Sequence, residues 1–551
     1  MSDHQPTKVL VAVGWPYAQG SMHLGHIAGA YLPADIYARY RRSLGDDVLM
    51  VSGSDVHGTP ITVKADEMGV SPAEIVDKYH PEFLTHWKDL DISWDLYTTT
   101  GTETHKRVVQ EFFMQLLENG YLYPHTTEQF FDEQENRFLP DRYVEGTCPH
   151  CGYTEARGDQ CDNCGKTLDP TDLIDPRSKL SNTKPVLRET EHYYWRLSAF
   201  NEPLLEWLNT REGWRPHVIN FAKGMVTEGL HDRSFTRDLD WGIPLPVDDL
   251  GPGKSIYVWW EALMGYYSAP QEWAELQGTP DAWRDWWEDP AAETYYFVGK
   301  DNIPFHAIYW PALILGHGGL NMPTNVPANQ FVTFGGAKAS KSRGVGRALS
   351  WYIERFDADG LRYALAQSLP ESNDTDLSDD EIVRRINDEL VATWGNLVNR
   401  VVAMTGRYFD GVIPEEGDLS EADHTLLDGR QEALDEVGAQ LDAIHLRAGI
   451  ARAMQMAGDA NVYLNDMAPW KTAKTDMKRT ATTLWAAHQL IVAVAVALFP
   501  YLPETSRRVL VAHGIVVPDT GPTWAVPDVA AGTTLEELGP LFSKVELEPE
   551  D

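Results

Sequence analysis

The chain has 551 residues, more than one hydrophobic core usually serves, so roughly two to four domains are expected. Its 82 acidic residues outnumber 46 basic ones and give a formal charge of −36, the reverse of the basic surface that phosphate contacts normally need. This excess either excludes a nucleic-acid partner or reflects a surface adapted to a salt-saturated cytoplasm. Because the acid is dispersed along the whole chain, the second interpretation is favoured.

Hydropathy gives no sign of a membrane protein. No stretch approaches the roughly 20 apolar residues that a membrane span needs, and the longest apolar run, residues 490–498, fits a buried helix. The N-terminus has neither the basic nor the apolar region of an export signal. We therefore expect a cytoplasmic chain without a membrane partner.

The N-terminal region alternates predicted strands and helices. An apolar run at residues 9–13 is typical of a buried parallel strand, and it leads to His23-Leu24-Gly25-His26 and a helical pattern over residues 27–41. Imidazoles and backbone N–H groups at a helix N-terminus suit phosphate, because unsatisfied donors and the helix dipole favour negative charge. A second strand at 47–52 follows. The pattern predicts an α/β fold, a doubly wound parallel sheet that binds ligands beyond the carboxyl ends of its strands.

All four cysteines fall in one short segment. The array reads Cys-x2-Cys-x9-Cys-x2-Cys, with a glycine after each second cysteine (Cys148, Cys151, Gly152, Cys161, Cys164 and Gly165). This spacing predicts a tetrahedral, all-thiolate zinc site, in which the glycines turn backbone N–H groups toward the thiolates. Two disulfides are the alternative, but they suit a secreted domain. Since four thiolates leave no open position, the zinc is expected to be structural.

Later segments change from mixed to helical character. Residues 255–259 and 294–298 resemble strands, and 331–334 leads into a lysine-rich loop. Apolar residues at helical spacing over 381–408, 424–464 and 478–498 predict an all-α bundle. The Pro-, Gly- and acid-rich tail after residue 514 either packs back on the protein or stays loose.

These changes predict six regions. They are the first half of a Rossmann-like domain, an insertion with zinc knuckles, the second half of that domain, a region that contains the lysine loop, an α-helical domain and an acidic tail (1–120, 121–237, 238–330, 331–378, 379–513 and 514–551).

The lysine loop, Lys338-Ala339-Ser340-Lys341-Ser342, is flanked by glycines. Two imidazoles and two lysines that converge only in the fold would clamp a polyphosphate, which indicates nucleotide chemistry. In this order and context, the two motifs resemble the HIGH and KMSKS signatures of class I aminoacyl-tRNA synthetases.

Three longer blocks narrow this resemblance. Residues 53–60, 257–266 and 297–306 resemble methionyl-tRNA synthetases, and the likeness runs over roughly residues 8–510. Valine, leucine and isoleucine enzymes share the signatures but carry a large editing insertion, for which this chain is too short. Together with its charge, the chain is similar to a halophilic, archaeal type of this family.

The resemblance implies ATP-dependent ligation of L-methionine to tRNA(Met) through methionyl-adenylate, with release of AMP and pyrophosphate. The nucleophile, the amino-acid carboxylate, is already ionised, so catalysis needs positioning and charge stabilisation rather than a general base.

The implied ATP site combines both signature motifs. His23 and His26 meet the phosphates, which carry Mg2+, and Gly25 lets the adenine approach closely. Lys341 stabilises the pentavalent transition state while Lys338 and Ser340 help to close the loop. One further residue, Asp301, would hold the ribose hydroxyls.

The implied methionine site has an ionic and an apolar part. Asp55 pairs with the α-ammonium, assisted by backbone near Gly14, and Arg237 lies near the substrate carboxylate. Aromatic walls suit a polarizable sulfur, and the side chain would lie among Trp15, Tyr17, Trp259, Ala262, Leu263, Tyr266 and His306. The family often has Pro at position 263 and Ile at 302, so those two positions depart from its pattern.

The resemblance further implies that the region with the lysine loop, residues 331–378, contacts the tRNA stem and that the helical region, residues 379–513, binds the anticodon. Asn396 and Arg400 lie one helical turn apart and offer directed hydrogen bonds to base edges, and Trp470 offers a stacking platform. Two alternatives remain, a nucleotidyltransferase of the same superfamily that uses no tRNA, and a tRNA-binding module without catalysis. A monomer is the default expectation.

Overall fold

The computed structural model describes residues 4–335, 337–338 and 347–547, with backbone alone at 337–338. At its centre is a four-stranded parallel sheet in the order Glu293–Phe297, Lys8–Val13, Asp47–Ser54, Leu96–Thr99. Its two central strands are buried on both faces, which explains their continuous apolar runs. The predicted doubly wound parallel sheet is confirmed.

Helices connect the strands and cover the sheet. They are Leu24–His26, Ile27–Tyr31, Leu32–Ser43, Thr59–Met68, Pro72–Asp89, Glu103–Glu118, Val258–Leu276, Arg284–Trp287, Lys300–Asn302, Phe305–Tyr309 and Trp310–His317. From Lys8–Val13 the chain proceeds outward to two strands on one side, and it later returns to add Glu293–Phe297 on the other side. This reversal of strand order creates a crevice at the carboxyl ends of the two adjacent strands.

An insertion separates the two halves of this domain. Its larger sheet is antiparallel, in the order Arg233–Ser234, Val186–Trp195, Leu122–Asp132, Arg137–Phe138, and a smaller one has the order Ala156–Arg157, Val144–Thr147, Ile174–Ser178. The helical segments of the insertion are Asp141–Tyr143, Pro170–Asp172, Leu197–Phe200, Asn201–Asn209 and Pro216–Glu228.

One predicted strand is wrong in part. Of the predicted residues 255–259, only the first two lie in a strand, which spans Lys254–Ile256. This strand pairs antiparallel with Thr236–Asp238, outside the central sheet. The helix Val258–Leu276 begins directly after it, so Trp259 lies on a helix. A short apolar run that is buried on all sides has no periodicity to distinguish strand from helix, which explains the error.

A small sheet and two helices link the catalytic domain to the C-terminal bundle. Val332–Phe334 is the strand predicted before the lysine loop, and it pairs with Ala337–Lys338 and Thr375–Asp376. The helices Leu349–Ile353 and Ala358–Ala366 follow.

The predicted all-α bundle is confirmed. Its segments are Asp379–Arg384, Arg385–Gly395, Asn396–Phe409, Glu421–Asp428, Arg430–Asp442, Leu446–Met467, Pro469–Thr472, Met477–Leu498 and Pro503–Ala512. Among the described residues, Met477–Leu498 is the one helix long and apolar enough to cross a membrane, and 89% of its most apolar window is buried inside the protein.

The tail after Gly514 packs back on the protein over its described residues, 515–547, which answers a question the sequence left open. The Trp524 N–H donates to the Ser43 carbonyl at 2.7 Å, which ties the tail to the catalytic domain. Val529 exchanges two hydrogen bonds with the Gln489 side chain at 2.7 and 3.0 Å, which ties it to the bundle.

Candidate functional site

The crevice at the sheet's carboxyl edge gathers the first motif and the ribose candidate. His23 and His26 follow the strand Lys8–Val13, and Asp301 follows the neighbouring strand Glu293–Phe297. Asn329, which is fully buried, connects the two sides because its side-chain amide donates to the Gly29 carbonyl at 2.9 Å.

The two imidazoles of the first motif are held by the backbone. The Gly25 N–H donates to His23 Nδ1 at 3.1 Å, and the His23 N–H donates to His26 Nδ1 at 3.2 Å. Each neutral ring therefore carries its proton on Nε2, as a donor. The centroids of the two imidazole rings lie 3.9 Å apart, so the two rings are in direct contact.

Gly25 has a steric role in this arrangement. A Cβ at this position would lie 3.0 Å from the His23 ring, so a side chain would displace the imidazole. This is a constraint on His23, and close approach of an adenine to Gly25 stays a prediction.

The lysine motif lies largely outside the described residues. Ser340 and Lys341 are not described, and at Lys338 the backbone alone is, paired with Thr333. The predicted convergence of Lys341 with His26 therefore stays a prediction.

The ammonium candidate, Asp55, is buried at the end of the strand Asp47–Ser54, with 2% exposure. Its backbone pairs with the segment after the first strand, where the Asp55 N–H donates to the Pro16 carbonyl at 2.9 Å. Burial raises the pKa of Asp55 well above its ordinary value, and the nearby Glu261 carboxylate adds to the rise. A bound cation would relieve both effects, so this carboxylate suits an ammonium. Gly14, at the end of the first strand, accepts a hydrogen bond on its carbonyl from the Tyr31 hydroxyl at 3.0 Å.

The Tyr266 hydroxyl and His306 form a buried pair. His306 Nδ1 lies 2.9 Å from the Asn302 carbonyl, an acceptor, so Nδ1 carries the proton and Nε2 accepts from the Tyr266 hydroxyl at 2.7 Å. Burial lowers the pKa of His306 to about 4, which keeps the ring neutral. The pair presents uncharged polar atoms, which suit a thioether.

Aromatic rings form the rest of this wall. Trp15 fits between two glycines, because a Cβ at Gly53 would lie 2.1 Å from its ring and a Cβ at Gly265 2.7 Å. Trp259 lies edge-on to Tyr17 at 6.0 Å and stacks on Phe305 at 3.8 Å. The same helix as Trp259 carries Ala262, Leu263 and Tyr266, all buried.

Arg237 has partners of its own in the described structure. Its Nε donates to both Asp141 carboxylate oxygens at 3.1 and 3.2 Å, and its guanidinium lies 3.7 Å from the centre of the Tyr257 ring. Burial raises the pKa of Asp141 to about 6, with the Arg237 charge opposing the rise. Arg237 and Phe305 also line a cavity of about 240 Å³ between the insertion and the catalytic domain. Its predicted contact with a substrate carboxylate is therefore not preformed and stays a prediction.

The cysteines meet as the spacing predicts. The four Sγ atoms lie within 4.8 Å of one another, with Cys148 to Cys164 at 3.9 Å and Cys151 to Cys161 at 3.6 Å. Tetrahedral zinc with bonds of about 2.3 Å requires sulfur separations of about 3.8 Å, so the donor set fits this metal.

The knuckle glycines turn backbone N–H groups toward the thiolates, as the sequence predicts. Their own N–H groups donate to carbonyls, from Gly152 to Cys148 and from Gly165 to Cys161, at 3.0 and 2.8 Å. The positive φ angles of these glycines, 75° and 71°, instead turn the next residue's N–H toward a thiolate. The donors are the backbone N–H groups of Tyr153, to Cys151, and of Lys166, to Cys164.

The helical bundle brings two of the anticodon candidates into contact. The Arg400 guanidinium lies 5.2 Å from the centre of the Trp470 ring and donates to Asn465 Oδ1 at 2.9 Å. Asn396 is exposed one turn earlier on the same helix. An amide, a guanidinium and an indole thus share one surface.

Sequence reasoning missed several residues of both sites. Phe305, His57 and Glu261 lie inside the blocks that carry the resemblance, but no role was assigned to them. Their signal was weak, because a buried Phe and a His–Glu contact across 204 residues leave no local pattern. Asn465 was missed because it lies 65 residues from Arg400.

Comparisons with known proteins agree with this geometry. A model of the family described as class I tRNA synthetases (M) matches residues 9–402, and one described as the anticodon binding domain of methionyl tRNA ligase matches 413–550. The six predicted region boundaries are not tested by these matches and stay predictions.

Curated relatives and solved structures match nearly the full chain. Methionine–tRNA ligases of Roseiflexus sp. (strain RS-1) and Dehalococcoides mccartyi (strain CBDB1) are 49% and 48% identical, over 91% and 98% of this chain and 86% and 97% of theirs. The crystal structure of Mycobacterium tuberculosis methionyl-tRNA synthetase bound by methionyl-adenylate is 26% identical with a TM-score of 0.80, covering 98% of this chain and 100% of that one. These relatives are bacterial, so the archaeal assignment has no support. The chain belongs to the methionyl-tRNA synthetases, the class I ligases that join methionine to tRNA.

Proposed function

We propose that the crevice described above activates L-methionine with ATP, which releases pyrophosphate, and that the methionyl group of the resulting methionyl-adenylate is then transferred to tRNA(Met), which releases AMP. The observation that carries this proposal is the combination of a buried carboxylate at Asp55, a neutral Tyr266–His306 pair and aromatic walls beside the imidazoles of the first motif. The Mycobacterium tuberculosis relative was solved with methionyl-adenylate, which supports the intermediate.

The amino acid is recognised at its two ends. Asp55 receives the α-ammonium, whose charge offsets the cost of an ionised carboxylate in a buried position. The thioether lies against Trp15, Trp259 and Tyr266, because aromatic faces attract a polarizable sulfur. Held in this way, the methionine carboxylate is positioned to attack the α-phosphate of ATP.

The phosphates are held at the first motif. The Nε2–H donors of His23 and His26 point away from the backbone that fixes their Nδ1 atoms, so they stabilise negative charge without reorganisation. Lys338 and Lys341 add positive charge to the leaving pyrophosphate, and Ser340 helps to close that loop. Mg2+ accompanies ATP at its phosphate oxygens, and Asp301 holds the ribose.

The tRNA is recognised at a distance from the chemistry. Arg400 and Asn396 bond to base edges of the anticodon, and Trp470 stacks on an unpaired base. Zinc bound by the four cysteines cross-links the insertion and has a structural role. The chain acts as a monomer in the cytoplasm, where reduced thiolates persist, and its acidic surface adapts it to high salt.

Aminoacylation of a tRNA(Met) transcript, with each of the twenty amino acids tested in turn, decides this proposal. Methionine alone should be charged efficiently, and ATP–pyrophosphate exchange should require methionine. Exchange without charging would favour the nucleotidyltransferase alternative, and the absence of any adenylate would favour the tRNA-binding module.

A further inference from the structure

A histidine–carboxylate pair joins the two halves of the methionine pocket. His57 Nδ1 lies 2.6 Å from Glu261 Oε1, in a pair that spans 204 residues. Glu261 is fully buried on the helix Val258–Leu276, and its Oε2 has no hydrogen-bond partner among the residues that the structure describes. No step of the proposed function uses either residue.

His57 lies two residues after Asp55, in the turn that follows the second strand. The His57 N–H donates to Asp55 Oδ1 at 3.3 Å, so the turn also contacts the carboxylate that receives the ammonium. On the other side, the Trp241 indole N–H donates to the Val56 carbonyl at 2.7 Å. The turn is therefore held from two directions.

Close contact at Gly58 fixes the turn against the helix. Gly58 has a φ of +77°, and a Cβ there would lie 2.7 Å from the Val258 side chain. The start of the helix and the end of the turn thus pack without space for a side chain. The same helix carries the pocket residues Trp259, Ala262 and Tyr266.

The pair also has an electrostatic consequence. The buried Glu261 carboxylate raises the cost of ionising Asp55, an effect that a nearby cation would relieve. Burial alone would lower the pKa of His57, but the Glu261 carboxylate outweighs burial and raises it. The titratable and charged neighbours include His105, whose pKa burial lowers to about 3, and Arg142, whose charge acts on Asp55 from the insertion. They also include Tyr17 and Tyr266, whose pKa values burial raises and the Asp55 charge raises further.

We propose that the His57–Glu261 pair is a positioning device for the α-ammonium site. It ties the Asp55 turn to the helix that forms the thioether wall, and the His57 imidazole offsets part of the Glu261 charge that would otherwise disfavour an ionised Asp55 still further. This inference rests on the proposed function, since it assigns Asp55 to the ammonium.

The charge part of the proposal is tested by removing the cation alone and then both charges. His57→Gln leaves Glu261 as an uncompensated buried anion beside Asp55, which raises the pKa of Asp55. In methionine-dependent ATP–pyrophosphate exchange, kcat/KM for methionine should fall about tenfold at neutral pH, with KM for ATP within about twofold. The acidic limb of the pH profile of kcat/KM should move up by about one unit.

The double variant His57→Gln, Glu261→Gln should recover most of the loss. It removes the uncompensated anion, so the acidic limb should return to the wild-type position although the tie is weakened. Glu261→Gln alone should cost about threefold or less, because it removes an anion together with the charge on His57. Losses in the double variant that multiply those of the single variants, or an unmoved acidic limb in His57→Gln, would overturn the proposal.

Controls separate this outcome from loss of fold and from failure of the proposed function. His488→Gln replaces a buried histidine in the helical bundle and should change thermal stability without changing KM for methionine. If His57→Gln unfolds, recovery of the fold in the double variant supports the proposal, and an equally unfolded double variant contradicts it. Absence of methionine-dependent exchange in the wild type would instead refute the proposed function.

Discussion

Asp55 shows how one residue can trade stability for recognition. Its carboxylate is buried, the residue is 2% exposed, and burial raises its pKa well above the usual value, so an ionised Asp55 weakens the folded state until a cation binds. Asp55→Asn keeps the shape and removes the charge. We expect kcat/KM for methionine to fall at least about 100-fold while the midpoint of thermal unfolding stays equal or rises.

A matched control for Asp55→Asn is available in the insertion. Asp132 is also buried, but it accepts hydrogen bonds from the Ser178 and Ser181 hydroxyls and from two backbone N–H groups. Asp132→Asn should therefore lower the unfolding midpoint and leave KM for methionine unchanged. Equal loss of stability in both variants would contradict the assignment of Asp55 as a binding group whose charge the folded protein does not neutralise.

At the residue scale, the sequence allowed the chemical role of a side chain to be predicted but not its distant contact partners. Asp55, Tyr266 and His306 could be named because their blocks are long and specific, and the structure places Tyr266 and His306 2.7 Å apart. The partners of Arg237 could not be named, because Asp141 lies 96 residues earlier, in the insertion. Nothing in a local pattern encodes which distant side chain will reach a guanidinium.

At the scale of elements, three wide helical turns lie at the predicted sites. The π-helical segments are Ile27–Tyr31, directly after His26, Phe305–Tyr309, which contains His306, and Arg385–Gly395, directly before Asn396. Such segments cost stability and are found frequently at functional sites. The sequence predicted helix for 27–41 and 381–408 but not this winding, because an apolar period of 3.6 does not distinguish one inserted residue.

The helix Met477–Leu498 carries a buried polar chain that responds to acid. The Thr405 hydroxyl donates to His488 Nε2 at 2.8 Å, His488 Nδ1 donates to His513 Nε2 at 2.9 Å, and His513 Nδ1 donates to the Val509 carbonyl at 2.7 Å. In this arrangement both histidine rings are neutral, and each ring uses one nitrogen as a donor and the other as an acceptor. Burial lowers the pKa of His513 to about 4 and that of His488 well below its ordinary value.

Because of these buried hydrogen-bonded histidines, we expect the helical bundle to lose stability in acid. In the unfolded state both histidines titrate near pH 6.5, whereas the folded state resists protonation, so the unfolded state binds more protons as the pH falls. Stability is therefore fully present above about pH 6.5 and is lost toward pH 4, at about 1.4 kcal/mol per pH unit for each histidine. Denaturant unfolding of the bundle at a series of pH values, followed by circular dichroism, measures this slope.

Variants assign the slope to the buried pair. His513→Asn keeps a donor for the Val509 carbonyl and removes one titrating group, so the slope should fall by about 1.4 kcal/mol per pH unit. His424, which is exposed and lies on the neighbouring helix Glu421–Asp428, is the control, and His424→Asn should leave the slope unchanged. A slope that His513→Asn does not alter would show that other groups cause the acid loss.

At the scale of the whole molecule, one buried guanidinium connects three parts of the fold. Arg362 donates to Asp35 at 2.7 Å in the catalytic domain, and to the Pro500 and Tyr501 carbonyls at 3.0 and 2.8 Å in the bundle. The Arg362 and Arg39 charges outweigh burial and lower the pKa of Asp35. The catalytic and anticodon sites are thus parts of one connected body, although nothing in the sequence around Arg362 indicated this joint.

The formal charge of −36 affects the stability of the whole molecule. Dispersed carboxylates repel each other in the folded state, and at roughly 0.1 M salt the screening length of about 10 Å leaves this repulsion active across the surface. We expect the unfolding midpoint and the aminoacylation rate to rise as KCl increases from roughly 0.1 M to molar concentrations, where the screening length falls to about 3 Å. An uncharged osmolyte at equal osmolality is the control, since it strengthens burial without screening and should not reproduce the full gain.

Anticodon binding should survive molar KCl because stacking on Trp470 does not depend on phosphate contacts. Equal stability and activity at the two salt concentrations would refute the adaptation and would leave the acidic surface without a physical account.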